Sequence, residues 1–207
     1  KTVDSSPLKD NTIIVFTSDH GWGMGEKDYL YKNSLWQEST RVPFIIRAPG
    51  VSKAGGSCEL PVSLVDLYPT LLDLCGLPAD TTLNAKGRPL DGHSLKPLLK
   101  DPAKGTWDGP DAALTALYKW ADYYDPAGQS YSQRYRDWRY VRYANGREEL
   151  YHTVEDPHEW YNLASKPEHA DRLAGYRKAL MKLIPSRPLS EKEKAARWKA
   201  QYFKKNP

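Results

Sequence analysis

Hydrophobic positions along this chain come in short runs separated by glycine, proline and charge. Thr12–Phe16 is apolar and rich in β-branched residues, the signature of a buried strand in a parallel sheet. The run stops at Thr17-Ser18-Asp19-His20-Gly21. Residues 21–33 carry Gly21, Gly23 and Gly25, then charged and aromatic residues; such a loop can bring backbone close to a ligand. Asn33–Thr40 predicts a helical turn or two. Val42–Arg47 predicts a second core strand, closed by the Pro49-Gly50 turn. From Leu64 to Cys75 apolar residues recur at offsets of three and four, giving one buried helix face. Pro69 belongs in a first helical turn, which moves the start to 66–68. Gly76 and Pro78 end the helix. A loop over 79–92 and a short helix over Ser94–Leu99 follow.

Beyond Asp101-Pro102 the pattern changes. Ala113–Trp120 predicts a strand, and 121–133 a polar, tyrosine-rich loop. Trp138–Tyr143 alternates aromatic or apolar residues with arginine, as a half-exposed antiparallel strand does. Asn145-Gly146 is a strong hairpin signal, with Glu148–His152 as the returning strand. Glu168–Leu183 is patterned as an amphipathic helix, and the tail from Ser190 is charged with helical propensity. Two blocks emerge: residues 1–105 complete an α/β core, and residues 106–207 form a small antiparallel sheet with a packed helix.

The 207 residues are 40% hydrophobic and 27% charged, ordinary for a soluble globular protein. A net charge of +4 is too mild to argue for a nucleic-acid partner. No apolar run approaches the about 18 residues of a membrane span. The two cysteines, Cys58 and Cys75, make no disulfide framework and read as buried or half-buried thiols.

Candidate chemistry concentrates at the end of the first strand. In open α/β sheets ligands bind just past the carboxyl ends of strands, where Asp19 and His20 fall. Asp19 offers the oxygen that a hard divalent cation prefers; His20 offers a nitrogen more at home on zinc or manganese. The plainer role for such a pair is a turn or helix cap. Trp22, Tyr29 and Tyr31 can line a sugar subsite or close the loop over the core. The basic, aromatic block Ser130–Arg139 suits an anionic polysaccharide through Arg134 and Arg136, or forms a half-exposed sheet face.

The motif Ser18-Asp19-His20-Gly21-Trp22-Gly23-Met24-Gly25-Glu26-Lys27, followed by Tyr31-Lys32-Asn33-Ser34-Leu35-Trp36 and Arg41-Val42-Pro43-Phe44-Ile45-Ile46, resembles the C-terminal half of a type I sulfatase of the iduronate-2-sulfatase-like branch. Val65-Asp66-Leu67-Tyr68-Pro69-Thr70, Gly92-His93-Ser94-Leu95 and Asp156-Pro157-His158-Glu159-Trp160-Tyr161-Asn162-Leu163 extend the resemblance in the same order over roughly residues 11–185. It implies the last strands of an alkaline-phosphatase-like α/β/α sandwich, and hydrolysis of a sulfate ester on a carbohydrate. Asp19 and His20 are then ligands of one calcium ion. Lys32 takes the place of the lysine that binds sulfate and offsets charge on the leaving oxygen, with Lys27 a weaker competitor. Trp22, Arg134 and Arg136 are candidate substrate contacts.

The family's nucleophile is a formylglycine made from Cys or Ser in a Cys-x-Pro/Ala-x-Arg motif. Neither cysteine here has that context, since Cys58 precedes Glu-Leu-Pro and Cys75 precedes Gly-Leu-Pro. The expectation is a fragment, inactive alone, whose partner is an N-terminal half supplying nucleophile and remaining carboxylates. Resemblance also implies an exported protein: periplasmic, secreted or lysosomal. The alternatives are a phosphomonoesterase or phosphodiesterase of the same superfamily, or a non-catalytic module binding sulfated glycans.

Overall fold

A computed structural model describes residues 2–82, 87–118, 125–184 and 189–205, with side chains to 199. The chain forms two compact units, Lys1–His20 with Arg41–Ala113, and Gly21–Thr40 with Leu114–Pro207. The loop after Asp19-His20 thus clusters with the C-terminal sheet.

In the first unit, β1 (Ile14–Thr17) pairs antiparallel with β2 (Phe44–Arg47), Phe16 opposite Ile45. This corrects the expectation of a buried parallel strand. A short apolar run carries no information on strand direction, and here the chain returns alongside itself. The face holding Phe16 and Ile45 is open, with both residues about 60% exposed. A single 3-10 turn at Leu64–Asp66 leads into α2 (Leu67–Leu74), α1 being Gln37–Thr40 of the second unit. Pro69 lies in the first turn of α2, where its missing N–H breaks no helix hydrogen bond. Gly76, at φ 64°, ends the helix, and the Leu77 N–H closes back on the Leu72 carbonyl at 2.9 Å, the pairing glycine favours at helix ends.

Asp66 is buried and organises this region. Its carboxylate accepts from the backbone N–H of Ser63 at 2.8 Å and of His93 at 2.9 Å. His93 therefore meets Asp66 through its backbone, while its ring meets Trp107 edge-on at 6.1 Å. Gly92 is required there, because a Cβ would lie 2.1 Å from the Val65 carbonyl oxygen. α3 (Lys96–Lys100) follows, fixed by a 2.7 Å Lys96–Asp73 ion pair. Both cysteines are free thiols; Cys75 is exposed rather than buried, because it caps the solvent end of α2.

The second unit holds a four-stranded sheet, β3 (Ala113–Leu117), β4 (Ser130–Arg134), β5 (Trp138–Arg142) and β6 (Glu148–His152), in that order. The part of the first predicted strand beyond Tyr118 lies outside the described residues. β4 overlaps the loop expected over 121–133 but is a strand, because its polar residues find partners: Ser130 Oγ accepts from the Ala144 N–H at 3.0 Å, and Ser132 Oγ from Arg139 at 2.9 Å. The β5–β6 hairpin turns at Gly146, φ 83°.

One sheet face packs Tyr131, Tyr140 and Leu150 against Leu173 and Leu180 of α4 (Ala170–Leu183) and against Ile184. Leu173 and Leu180 lie two helical turns apart, on one stripe. The register places Ser132, Arg139, Val141 and Tyr151 on the opposite face, and all four are buried. The half-exposed strand expected at 138–143 is thus covered on both sides, by α4 and by residues 27–37. α5 (Glu191–Lys205) is the last described element.

The exposed Arg177 grips Glu148 through two hydrogen bonds, at 2.7 and 2.5 Å, joining α4 to β6. Arg177 and the Tyr140 hydroxyl hold the Glu148 carboxyl below its ordinary range. A carboxylate with a depressed folded-state pKa stabilises above its unfolded value, near 4.5, and loses that contribution as pH falls through the folded value. Glu148→Gln should therefore lower the denaturant midpoint at pH 7, and the gap from the parent should close below about pH 4. A pH-independent gap in urea titrations would contradict this.

Candidate functional site

Ser18, Asp19 and His20 turn the chain out of β1, with Ser18 Oγ donating to the His20 carbonyl at 2.8 Å. His20 Nε2 lies 3.7 Å from Asp19 Oδ2, and the Asp19 side chain is 86% exposed. A carboxylate and an imidazole at that spacing can both reach one divalent cation. Calcium takes six to eight ligands at about 2.3–2.6 Å, so these two fit as part of a shell. Among the described residues no three His, Cys, Asp or Glu side chains gather to complete one.

The loop that follows is a narrow, irregular hairpin. The Gly23 N–H donates to the Tyr31 carbonyl at 3.2 Å, and the Gly25 N–H to Tyr29 at 3.2 Å. A Cβ on Gly23 would meet the Tyr29 carbonyl oxygen at 2.9 Å, so the two strands approach only because the residue is glycine. At the tip, Lys27 (φ 57°) and Asp28 (φ 56°) both take left-handed backbone, a conformation that costs about 1–3 kcal/mol per non-glycine residue unless surroundings impose it. A row of rings runs Trp22–Tyr31–Tyr29–Trp36, with centroids 6.3, 6.0 and 6.0 Å apart. Its outer end, Trp22 and Tyr31, is exposed; at its inner end Trp36 Nε1 donates to Glu149 at 2.9 Å.

The two lysines of this loop differ. Lys27 sits over the Trp36 and Tyr151 rings, 5.0 and 4.5 Å from their centroids, and donates to the Tyr151 hydroxyl at 3.1 Å. Burial pushes its pKa down, partly offset by Glu149, Glu159 and Asp156. Lys32 is exposed. Of the two, Lys27 is half-buried against the sheet of its own unit and Lys32 is the more exposed.

Arg134 ends β4 and Arg136 lies just beyond it. Arg134 folds onto its own turn, donating to the Tyr135 carbonyl and, at 2.7 Å, to that of Arg136, while Arg136 is exposed. The site reading from sequence overlooked Arg139 and Glu159, which form a fully buried ion pair. Glu159 accepts from the Gln37 N–H at 2.9 Å, and Arg139 Nη1 donates to the Leu35 carbonyl at 3.2 Å. Strand alternation points such an arginine at solvent, and its register partner in β4, Arg134, gives no hint otherwise.

Residues 25–186 match the family described as N-sulphoglucosamine sulphohydrolase, C-terminal. The chain belongs to this sulfatase family. It is 34% identical over 183 residues to an N-acetylglucosamine-6-O-sulfatase of Bacteroides thetaiotaomicron, covering 84% of the chain and 30% of that protein. A solved structure of a protein in complex with its substrate D-glucosamine-2-N,6-O-disulfate superposes with a TM-score of 0.70 at 32% identity, over 88% of this chain and 35% of that one. The phosphonate monoester hydrolase of Agrobacterium radiobacter superposes with a TM-score of 0.68 at 30% identity, over 87% and 36%. The fold is that of the C-terminal part of the alkaline-phosphatase-like sulfatases. The chain spans about a third of the length of the relatives it matches.

Proposed function

We propose that this sulfatase chain supplies the late cation ligands and a sulfate-binding cation of an exported sulfuric ester hydrolase acting on a sulfated carbohydrate. We read its motifs as those of the iduronate-2-sulfatase-like branch. The observation that carries the reading is the strand exit, where a carboxylate and an imidazole stand 3.7 Å apart in a chain of this family. Asp19 and His20 hold a calcium ion together with carboxylates of an N-terminal segment, which also brings the formylglycine nucleophile. The bound cation supplies positive charge beside the ester oxygens. Lys32 places its ammonium on a sulfate oxygen and offsets the charge that grows on the bridging oxygen as the S–O bond breaks. Trp22 offers a ring face to the sugar, and Arg134 and Arg136 contact anionic groups of the substrate. No helix among the described residues is long and apolar enough to cross a membrane.

Metal analysis of the intact enzyme tests this. One calcium per chain is expected, with calcium affinity in Asp19→Asn reduced at least about 10-fold. Retention of the metal by Asp19→Asn would remove Asp19 from the site. Likeness to a phosphonate monoester hydrolase favours a second reading, phosphorus ester hydrolysis with a transition metal. Zinc or manganese in the purified enzyme, with faster turnover of phosphonate than sulfate esters, would replace the first reading by the second.

A further inference from the structure

The residues flanking Lys32 are fastened to one face of the β4–β5–β6 sheet at two points. Before Lys32, the Lys27 ammonium is held against the Trp36 and Tyr151 rings and bonded to the Tyr151 hydroxyl at 3.1 Å. Lys27 and Asp28 both take left-handed backbone at this point. After Lys32, the buried Arg139–Glu159 pair grips the Leu35 carbonyl and the Gln37 N–H. Glu159 itself has φ 58°, and its N–H is tied to the Asp156 carbonyl at 3.1 Å. The two anchor points are adjacent, because Tyr151 and Arg139 lie opposite each other in the β5–β6 register. Residues 28–34 therefore form an arch with both feet on one cross-strand pair and an exposed lysine in its span. A buried ion pair is a poor source of net stability, but one that binds backbone on both sides of Trp36 defines that backbone's path.

We infer that Lys27, Arg139 and Glu159 are positioning residues that set the place of Lys32 through this arch. The inference rests on the reading in which Lys32 meets a sulfate oxygen. The tests use the intact enzyme carrying Arg139→Lys, which keeps the charge opposite Glu159 but loses the guanidinium fork, or Lys27→Met, which keeps apolar packing between the rings and loses the charge. Misplacing a reacting group by about 1 Å costs on the order of 100-fold. Each variant should lower kcat/KM for a sulfate ester about 10–100-fold, and hydrogen exchange at amides 28–34 should accelerate.

The deciding measurement repeats both substitutions in a Lys32→Ala background. Residues that act through Lys32 should then change kcat/KM by less than about 2-fold, since effects through a shared group are not additive. An undiminished loss in that background, or unchanged exchange over 28–34, overturns the inference. If Lys32→Ala alone leaves the kinetics unchanged, the functional reading fails. In that case the exchange data alone decide whether the arch exists.

Discussion

Lys32→Ala in the intact enzyme is expected to lower kcat for a sulfate ester by about 100- to 1,000-fold, the usual consequence of removing one preorganised donor from developing negative charge. KM should change far less, because the charge on the bridging oxygen grows as the bond breaks and is small in the bound ester. Lys32→Arg should recover only part of the loss, since a planar guanidinium does not place its charge where an ammonium does. The two lysines of the loop differ in burial. Lys27 is half-buried between two rings, so Lys27→Met acts only through position and should cost less than Lys32→Ala. Steady-state kinetics of the three variants check the order. Equal turnover in Lys32→Ala and the parent would remove Lys32 from the chemistry.

What the sequence disclosed and what it concealed divide along a physical line. Local signals were legible. Pro69 marked the first turn of α2, Gly76 its end, and Asn145-Gly146 the hairpin between β5 and β6. Motif order also pointed to the family, whose model matches residues 25–186.

Non-local partners were not legible. β4 reads as loop because Ser130 and Ser132 look solvated, yet each is satisfied by a group outside its own strand, the Ala144 N–H and the Arg139 guanidinium. Arg139 reads as the exposed phase of an alternating strand, yet its partner is twenty residues on, in a turn. Likewise, Thr12–Phe16 disclosed a strand but not its direction, which depends on where the chain returns. Periodicity reports which residues share a face; it does not report what covers that face.

Glu159→Ala should be among the most damaging single substitutions for stability, about 3–5 kcal/mol. Arg139 is 2% exposed, and with the carboxylate gone its charge stays buried without a counterion. The Gln37 N–H loses its acceptor at the same time. Neither group can regain water without opening the face of β5. Arg139→Ala leaves the mirror-image defect, a buried carboxylate without its counterion, and should cost a comparable amount. Replacing both partners with apolar residues of similar size, Arg139→Met with Glu159→Leu, should recover much of the loss, as buried ion pairs often tolerate hydrophobic substitution. Urea unfolding of the three proteins tests the ranking. If the double variant were no more stable than Glu159→Ala, the damage would lie in the lost Leu35 and Gln37 contacts rather than in an unpaired charge.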